Sequence, residues 1–447
     1  RAAKGDRSWS EYRRDLLVRL SKDIFIDPAK EVNPDITMVI KYPQWYDRFQ
    51  EFGYDLSRQP ALFDRVWVGT ETRGSRTLRF GFMQPYEGFV NYRWIAELSH
   101  GKIGGAWFDH GDCDAHDFVE QAYQTVLAGA PEIILFNYAN LAAGHAGHDL
   151  LRRDFANLAD LAAAVRKHPV TGVCSYKPAN SDSGGDLYVM DFIGMLGIPL
   201  VPTARFDAGA ASFFLPTQAA ADEDILAKVR RAAASGATFV MTAGFLHDTT
   251  NGDALAKIAG VKQPSKKTPM RASHVIDGGK PVPVKYGLDL EADLEPAGAE
   301  VLLRAQVDGR NVPFLTRHKR DKATVYVLNT HTYSKADFEA VGEVLLAPRP
   351  LGLLEIPQSW TAAVRGAFNS PLAIHFDAPP RVTLQPLGNT AFVLCNYNLE
   401  AVAIQLKSST DFSKAKDKFT DAPIESTEGG LKLTIPSRGT VWVVDNL

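Results

Sequence analysis

Two acidic residues stand at the ends of strand-like runs, where a pair of carboxyl groups could carry out acid and base chemistry. Glu71 follows the apolar run 63–70, and Asp109 ends the run 104–109. Both runs are rich in aromatic and β-branched residues and are bounded by glycine, which is typical of buried strands. A (β/α) barrel carries its catalytic groups at the carboxyl ends of its strands. We therefore expect Glu71 and Asp109 to face one another at one edge of a parallel sheet.

The first 150 residues alternate between four such runs and helical segments. The runs lie at 36–42, 63–70, 104–109 and 132–138. Strands that alternate with helices predict a parallel sheet with right-handed crossovers. Four units are half of a barrel, so residues 1–150 are predicted to be a partial (β/α)8 barrel.

Capping patterns predict where two of these helices begin. Ser8 and Glu11 form a capping box ahead of a long first helix, and Asp114 and Asp117 form another after the Asp109 run. One face of the first helix is apolar and is expected to be buried. It consists of Tyr12, Leu16, Leu20 and Ile24. Because a long helix opens the chain, we expect the polypeptide to begin in the middle of a domain.

Two further regions follow, with expected boundaries at 151–348 and 349–447. The first is alanine-rich and alternates strands with helices, which predicts an open, flavodoxin-like α/β domain of the doubly wound type. In it, 261–269 is expected to be a loop and 317–322 a charged hairpin turn. The second region is predicted to be a linker and then a small antiparallel β-sandwich, since short alternating runs are separated by Gly, Asn and Pro turns.

Composition excludes several classes of partner. A chain of 447 residues with a formal charge of −3 gives no electrostatic reason to bind nucleic acid or an anionic membrane. No apolar run approaches the roughly 20 residues that span a bilayer. The three cysteines lie far apart, which argues against a disulfide scaffold and leaves the compartment open. We expect a carbohydrate partner, with no nucleic acid and no membrane.

Several motifs in the first region resemble those of glycoside hydrolases. They are Ile40-Lys41-Tyr42-Pro43-Gln44-Trp45-Tyr46, Val68-Gly69-Thr70-Glu71-Thr72-Arg73, Gln84-Pro85-Tyr86-Glu87 and Gly104-Gly105-Ala106-Trp107-Phe108-Asp109. With the order of domains, they are similar to barrel enzymes that carry a β-galactosidase trimerisation domain. Glycoside hydrolase family 42 and a group of related bacterial hypothetical hydrolases have this layout.

The resemblance implies a C-terminal half-barrel, an amidotransferase-like second domain, and a homo-oligomer, either dimer or trimer. It places the four runs as barrel strands five to eight, with strands one to four upstream of Arg1. These barrel enzymes usually carry an acid/base on strand four and a nucleophile on strand seven. Here Asp109 ends strand seven and the strand-end glutamate, Glu71, lies on strand six, so the role of each acid stays open.

Glycoside hydrolysis needs two carboxyl groups, and Glu71 and Asp109 are our catalytic candidates. The structural alternative is that Glu71 pairs with Arg73 or Arg93 while Asp109 caps a loop. Aromatic rings near strand ends could stack on sugars, or be buried. The substrate-binding candidates are Lys41, Tyr42, Trp45, Tyr46, Arg73, Tyr86, Glu87, Trp94, Trp107, His110, Asn137 and Tyr138.

No cofactor or metal is expected. The potential ligands between Asp109 and His116 fit no common zinc spacing. Two other functions remain open at this point. The chain could be a non-catalytic glycan-binding or assembly subunit, or an amidotransferase-like enzyme that uses Cys174 as nucleophile, although Gly172-Val173-Cys174-Ser175-Tyr176 is a poor nucleophile elbow.

Overall fold

The chain contains an N-terminal parallel sheet, a nine-stranded mixed sheet and two C-terminal antiparallel sheets. The computed structural model describes residues 5–137, 139, 142–265, 269–342, 346–388, 391–409, 412 and 414–445. Within these ranges, no helix has the length and apolar character needed to cross a membrane.

The N-terminal sheet has four parallel strands in sequential order, which confirms the predicted parallel topology. Its strands are β1 (Val39–Tyr42), β2 (Arg65–Gly69), β3 (Ile103–Asp109) and β4 (Ile133–Phe136). Its helices are α1 (Trp9–Leu20), which continues through a π-helix (Ser21–Ile26) into α2 (Asp27–Val32), then α3 (Phe49–Phe52), α4 (Gln59–Leu62), α5 (Glu87–Leu98), α6 (Ala115–Leu127) and α7 (Ala146–Lys167).

Both predicted capping boxes form, at Ser8 before α1 and at Asp114 before α6. The buried face predicted for the first helix is wrong. Tyr12, Leu16 and Leu20 are only half-buried and Ile24 is 59% exposed. The apolar stripe exists, but the described part of the chain does not cover it.

The N-terminal sheet is open at both edges. Among the described strands, β1 pairs only with β2, and β4 pairs only with β3. Apolar side chains at these edges meet solvent: Val39 is 41% exposed, Ile134 45% and Phe136 56%. Parallel sheets are usually buried on both faces and seldom leave such edges uncovered. The sheet therefore has two unpaired, apolar borders.

The second sheet joins a parallel half to an antiparallel half, in the order β10-β9-β11-β12-β13-β8-β7-β5-β6. Its strands are β5 (Val173–Tyr176), β6 (Leu200–Thr203), β7 (Ser212–Leu215), β8 (Thr238–Thr242), β9 (Met270–Asp277), β10 (Lys280–Leu290), β11 (Glu300–Val307), β12 (Arg310–Arg320) and β13 (Ala323–Leu328). Its helices are α8 (Val189–Met195), α9 (Ile225–Ala234), α10 (Ala243–Asp248), α11 (Gly252–Ala259) and α12 (Lys335–Val341), with a 3₁₀ turn at Thr217–Ala221.

The parallel strands of this sheet agree with the sequence prediction, and so does the charged hairpin between β12 and β13. The long hairpins β9–β10 and β11–β12 were missed. They contain Pro281, Pro283 and Pro313 and many charged residues, which disguise a strand pattern. The result is a mixed sheet and not a purely doubly wound one.

The C-terminal region contains two four-stranded antiparallel sheets, which confirms the predicted antiparallel β-structure. One has the order β14-β17-β20-β19 and the other β15-β16-β21-β18. The strands are β14 (His375–Asp377), β15 (Val382–Leu387), β16 (Ala391–Asn396), β17 (Val402–Lys407), β18 (Ala415–Asp417), β19 (Glu425–Thr427), β20 (Gly430–Ile435) and β21 (Thr440–Asp445). Helix α13 (Gln358–Asn369) and 3₁₀ turns at Gly352–Leu354 and Ser370–Leu372 precede them.

Candidate active site

The two candidate acids lie at the same edge of the N-terminal sheet. Asp109 is the last residue of β3, and Glu71 lies two residues beyond the end of β2. The two strands are parallel neighbours, with Gly69 opposite Trp107. Two consecutive strand–helix units therefore bring both carboxyl groups to the carboxyl ends of adjacent strands.

Glu71 is held largely away from solvent and retains its proton near neutral pH. Glu71 is only 8% exposed. Burial is the largest cause that raises its pKa, to about 7, and the charge of Asp109 is the second. Arg73, a hydrogen bond from Trp107 and Lys41 act in the opposite direction. A carboxylic acid with such a pKa is suited to general acid catalysis.

Asp109 is buried against an arginine. Its Oδ2 accepts a hydrogen bond from Arg73 Nη2 at 2.7 Å, and its Oδ1 accepts one from the Gly111 amide at 2.9 Å. The expected structural alternative was an ion pair between Glu71 and Arg73 or Arg93. The pair that forms is instead Arg73–Asp109, so Asp109 is the more restrained of the two acids.

Gln121 on α6 connects the loops that carry Arg73 and Asp109. Its Nε2 donates to the Asp109 carbonyl at 2.9 Å, and its Oε1 accepts from the Arg73 amide at 3.3 Å. Arg73 has a φ of 55°, which a non-glycine residue adopts only when its surroundings impose it. Sequence reasoning missed Gln121, since a glutamine within a helix gives no local signal of such a role.

Trp107 and Lys41 complete the cluster around Glu71. Lys41 Nζ lies 5.3 Å from the centre of the Trp107 ring, a cation–π distance. The ring lies directly over Gly69, where a Cβ atom would come within 2.9 Å of Trp107 Cζ2. Trp107 is half-buried, so part of its side chain is in contact with solvent.

Four aromatic candidates are not available to a sugar. Tyr42, Tyr46, Tyr86 and Trp94 are at most 1% exposed. The Tyr46 hydroxyl donates to Asp191, the Tyr86 hydroxyl bonds the Leu200 backbone, and Trp94 Nε1 donates to the Lys177 carbonyl. Their prediction as substrate-binding residues is wrong, because residues 177–200 cover Tyr46, Tyr86 and Trp94, while Tyr42 is buried against Phe49 and Tyr54.

Other candidates lie at the margins of the cluster. Trp45 is half-buried and its ring contacts Phe52 at a centroid distance of 5.4 Å. His110 Nδ1 lies 3.3 Å from the Phe136 carbonyl oxygen. Asn137 directly follows β4 and is half-buried. Tyr138 lies outside the described residues.

Glu87, at the start of α5, is an uncharged buried acid and not a sugar ligand. It has no exposed surface, and within the described chain neither carboxyl oxygen has a hydrogen-bond partner. Burial raises its pKa well above the ordinary value, and the charges of Asp191, Glu71 and Asp47 act in the same direction. The prediction that Glu87 binds substrate is therefore wrong.

A buried ion pair joins the N-terminal sheet to the second domain. Asp47, after β1, and Lys177, after β5, are in contact at 2.9 Å between Oδ1 and Nζ. Asp47 Oδ2 also accepts from the Tyr188 amide and from Gln218 Nε2. The strand-end loops of the two sheets are thus tied together beneath the cluster.

The C-terminal sheets hold the first turns of α6. Arg438 contacts Asp114, Asp117 and Glu120 at 2.5, 2.5 and 2.7 Å. Its side chain is only 6% exposed. Glu120 directly precedes Gln121 in the chain, so this ion cluster restrains the helix that links the loops of Arg73 and Asp109.

Cys174 does not have the surroundings of a nucleophile. It lies within β5 and is 7% exposed, and burial raises its pKa to about 12. A reactive cysteine needs the opposite shift. Elsewhere in the described residues, no group of three or more His, Cys, Asp or Glu side chains is placed to hold a metal ion.

An acid of raised pKa next to a second carboxylate, at the carboxyl ends of parallel strands, is an arrangement that glycoside hydrolysis can use. Comparison with known proteins agrees. Residues 1–159 match the family described as "Probable glycosyl hydrolase, catalytic domain". Residues 166–333 match "Uncharacterized protein SSO3021, second domain". The chain is a divergent relative of these proteins, which confirms the resemblance seen in the sequence.

Individual relatives are distant. The uncharacterized protein SSO3021 of Saccharolobus solfataricus is 26% identical over 213 residues, 43% of this chain and 33% of its own length. The matched segment thus spans about a third of that curated relative.

Solved structures show the same fold at low identity. The β-galactosidase of Halorubrum lacusprofundi has a TM-score of 0.57 at 12% identity, over 98% of this chain and 68% of its own. That of Marinomonas ef1 has 0.55 at 11%, over 98% and 68%. The family 42 β-galactosidase Gan42B of G. stearothermophilus has 0.54 at 12%, over 97% and 67%.

Proposed function

We propose that this chain provides the catalytic site of a glycoside hydrolase, in which Glu71 protonates the glycosidic oxygen of the leaving group. The observation that carries this proposal is the environment of Glu71. It is a buried acid at the carboxyl end of a parallel strand, and its pKa of about 7 keeps much of it protonated at neutral pH. The leaving oxygen of a sugar needs this kind of proton donor.

Asp109 acts in this proposal as a positioning carboxylate. Its negative charge helps to keep Glu71 protonated, and its ion pair holds Arg73 next to the site. Since both of its oxygens accept hydrogen bonds, it is poorly placed to attack a sugar carbon. The second catalytic carboxylate would then come from elsewhere.

The open edges of the N-terminal sheet offer places where further strands could carry that second carboxylate. β1 and β4 expose apolar side chains that further parallel strands would bury, as in a closed barrel. We propose that such strands cover Val39 on one side and Ile134 on the other, and that one of them ends in the missing carboxylate. The half-barrel description and an amidotransferase-like second domain belong to this proposal.

The substrate is proposed to be a neutral oligo- or polysaccharide. The exposed part of the Trp107 ring offers a face for sugar stacking, and the Lys41 ammonium offers donors for hydroxyl groups. The solved relatives of the same fold are named β-galactosidases, so a β-galactoside is the first compound to try.

The test compares the complete gene product with its Glu71→Gln variant on a panel of aryl glycosides that begins with the β-galactoside. Glu132→Gln is the matched control, because Glu132 precedes β4 at the opposite end of the sheet and its side chain is 55% exposed. Loss of a general acid is expected to lower kcat by about 10²–10⁴-fold. The loss is expected to be larger for 4-nitrophenyl than for 2,4-dinitrophenyl glycosides, whose leaving group needs less protonation.

Full activity of Glu71→Gln, or an equal loss with both leaving groups, would contradict the role of Glu71. A parent protein that cleaves no glycoside of the panel would contradict the enzymatic proposal and favour a glycan-binding subunit. An amidotransferase that uses Cys174 is not favoured, because that thiol is buried and its pKa is raised.

A further inference from the structure

A cavity lies at the end of the N-terminal sheet that is remote from Glu71. It has a volume of about 510 Å³ and lies between the later turns of α5, the ends of α6 and α7, and β6. Ile103, the first residue of β3, lines it, whereas Asp109, the last residue of the same strand, lies at the candidate active site. At about 3.3 Å per residue, the two ends of β3 are roughly 20 Å apart. The cavity is therefore separate from that site.

The cavity wall contains an arginine whose charge is not balanced by contacts. Arg93 is partly buried, and no hydrogen bond or ion pair joins its guanidinium group to another described residue. Its ring contact is with Phe89, whose centroid lies 5.9 Å from the Arg93 Cζ atom. Burial lowers the pKa of Arg93, and the weaker attractions of Tyr86, Glu97 and Tyr92 act in the opposite direction.

Glu97, the acidic residue one turn away on the same helix, bonds to other groups. Glu97 lies one turn after Arg93 on α5 and also lines the cavity. Its Oε2 accepts from the Ala204 amide at 2.5 Å, and its Oε1 lies 3.4 Å from Arg205 Nε. Its carboxylate is thus directed to the loop after β6, so it attracts Arg93 only from a distance and forms no direct ion pair with it.

A second arginine and an apolar wall complete the cavity. Arg166, near the end of α7, lines it and is exposed to solvent. The rest of the wall is largely apolar and includes Tyr92, Val165 and Val201. Two guanidinium groups beside an apolar wall match an anion attached to an apolar body.

We propose that this cavity binds a small organic anion, a carboxylate or phosphate group on an apolar or sugar-sized body, through Arg93 and Arg166. The anion supplies the direct hydrogen bonds and ion pair that no described residue makes with the Arg93 guanidinium group. Arginine suits both oxyanions because its planar fork matches their paired oxygens. This proposal does not depend on hydrolytic activity.

The proposed site leads to a prediction about the melting temperature of the ligand-free protein. A partly buried cation without a partner costs stability, whereas an arginine that serves only packing contributes to it. Replacing Arg93 by methionine is therefore expected to raise the melting temperature of the ligand-free protein while it abolishes anion binding. Arg152→Gln is the matched control, since Arg152 also lies on α7 and its side chain is 77% exposed.

The experiment measures melting temperature and calorimetric binding with inorganic phosphate, glucuronate and benzoate, at constant ionic strength, with methyl glucoside and benzyl alcohol as uncharged probes. At least one anion is expected to stabilise the parent and the Arg152→Gln variant, and Arg93→Met is expected to bind it at least tenfold more weakly. Binding of phosphate alone would identify a phosphate ligand, and binding of the carboxylates alone a carboxylate ligand.

Three results would overturn the proposal: no response of the parent to any anion, equal responses to charged and uncharged probes, or unchanged binding in Arg93→Met. A lower melting temperature of ligand-free Arg93→Met would also count against it. If that variant does not fold, Arg166→Gln decides the question by the same binding measurement, with weaker binding expected and unchanged binding contradicting the site.

Discussion

Replacing Glu71 by glutamine is expected to stabilise the protein at alkaline pH and to leave its stability nearly unchanged at acid pH. Burial and the neighbouring Asp109 raise the pKa of Glu71 from 4.5 to about 7 in the folded protein. Between these pH values the folded protein keeps the proton, whereas the unfolded chain has lost it. Because the folded state binds more protons in this window, its stability falls as pH rises from 4.5 through 7.

The size of the effect follows from the pKa change. At roughly 1.4 kcal/mol for each pKa unit, the change from 4.5 to about 7 corresponds to up to about 3.5 kcal/mol above pH 7. Glu71 is 8% exposed, so solvent screens this cost little. A neutral glutamine of the same shape does not carry the free-energy cost of a buried negative charge. For a chain of 447 residues, whose unfolding entropy corresponds to roughly 1 °C for each kcal/mol, Glu71→Gln is expected to melt about 3–4 °C above the parent at pH 8.5.

The assay is thermal unfolding of the parent, Glu71→Gln and the exposed control Glu132→Gln at pH 5 and pH 8.5. Other buried acids with raised pKa values, such as Glu120 and Asp186, titrate in all three proteins and cancel in the difference. A difference between Glu71→Gln and the parent that is the same at both pH values would refute the reasoning. Activity gives a second check, since the rate is expected to fall above pH 7 as Glu71 loses its proton.

Three further substitutions test the structure around the site. Gly69→Ala is expected to displace the Trp107 ring, because the new Cβ would lie 2.9 Å from Trp107 Cζ2. Tryptophan fluorescence and activity are both expected to change. Gly366→Ala is the control, since a Cβ at that position meets nothing within 4 Å. Arg438→Ala removes the main cation beside the largely buried Asp117 and Glu120, to which Arg76 still lies close, and is expected to cost about 2–3 kcal/mol in unfolding experiments. The exposed Arg152→Ala is expected to change stability little. Lys177→Met is expected to cost an amount similar to that of Arg438→Ala because it strands Asp47, and combining it with Asp47→Asn is expected to recover part of the loss.

The sequence predicts the parallel strands of the site well, because each strand is a short apolar run that ends in polar residues. Glu71 and Asp109 were found in this way, and the structure places both at adjacent strand ends. The ion pair that forms was not predictable. Arg73 is two residues from Glu71 but thirty-six from Asp109, and only the left-handed turn at Arg73 directs its side chain to the more distant acid.

The burial of the aromatic residues, in contrast, could not be predicted from the sequence. Tyr46, Tyr86, Trp94 and Trp107 are all aromatic residues of the N-terminal region, yet among these four only Trp107 keeps part of its side chain in contact with solvent. What separates them is the second domain, which covers the first three through contacts with Asp191, Leu200 and Lys177. Those partners lie more than eighty residues away in the chain. A local pattern cannot show which side of a sheet another domain will cover.

The different surroundings of the two acids follow from the presence of a single guanidinium group between them. Arg73 donates to Asp109, and its attraction for Glu71 is smaller than the combined effect of burial and the Asp109 charge. Gln121 accepts from the Arg73 amide and donates to the Asp109 carbonyl, so the arginine is not free to change partner. Burial and the Asp109 charge thus raise the pKa of Glu71, while the guanidinium group of Arg73 is engaged with Asp109. Two acids in adjacent, similar loops acquire different chemistry because the loops are held in unequal positions relative to one cation.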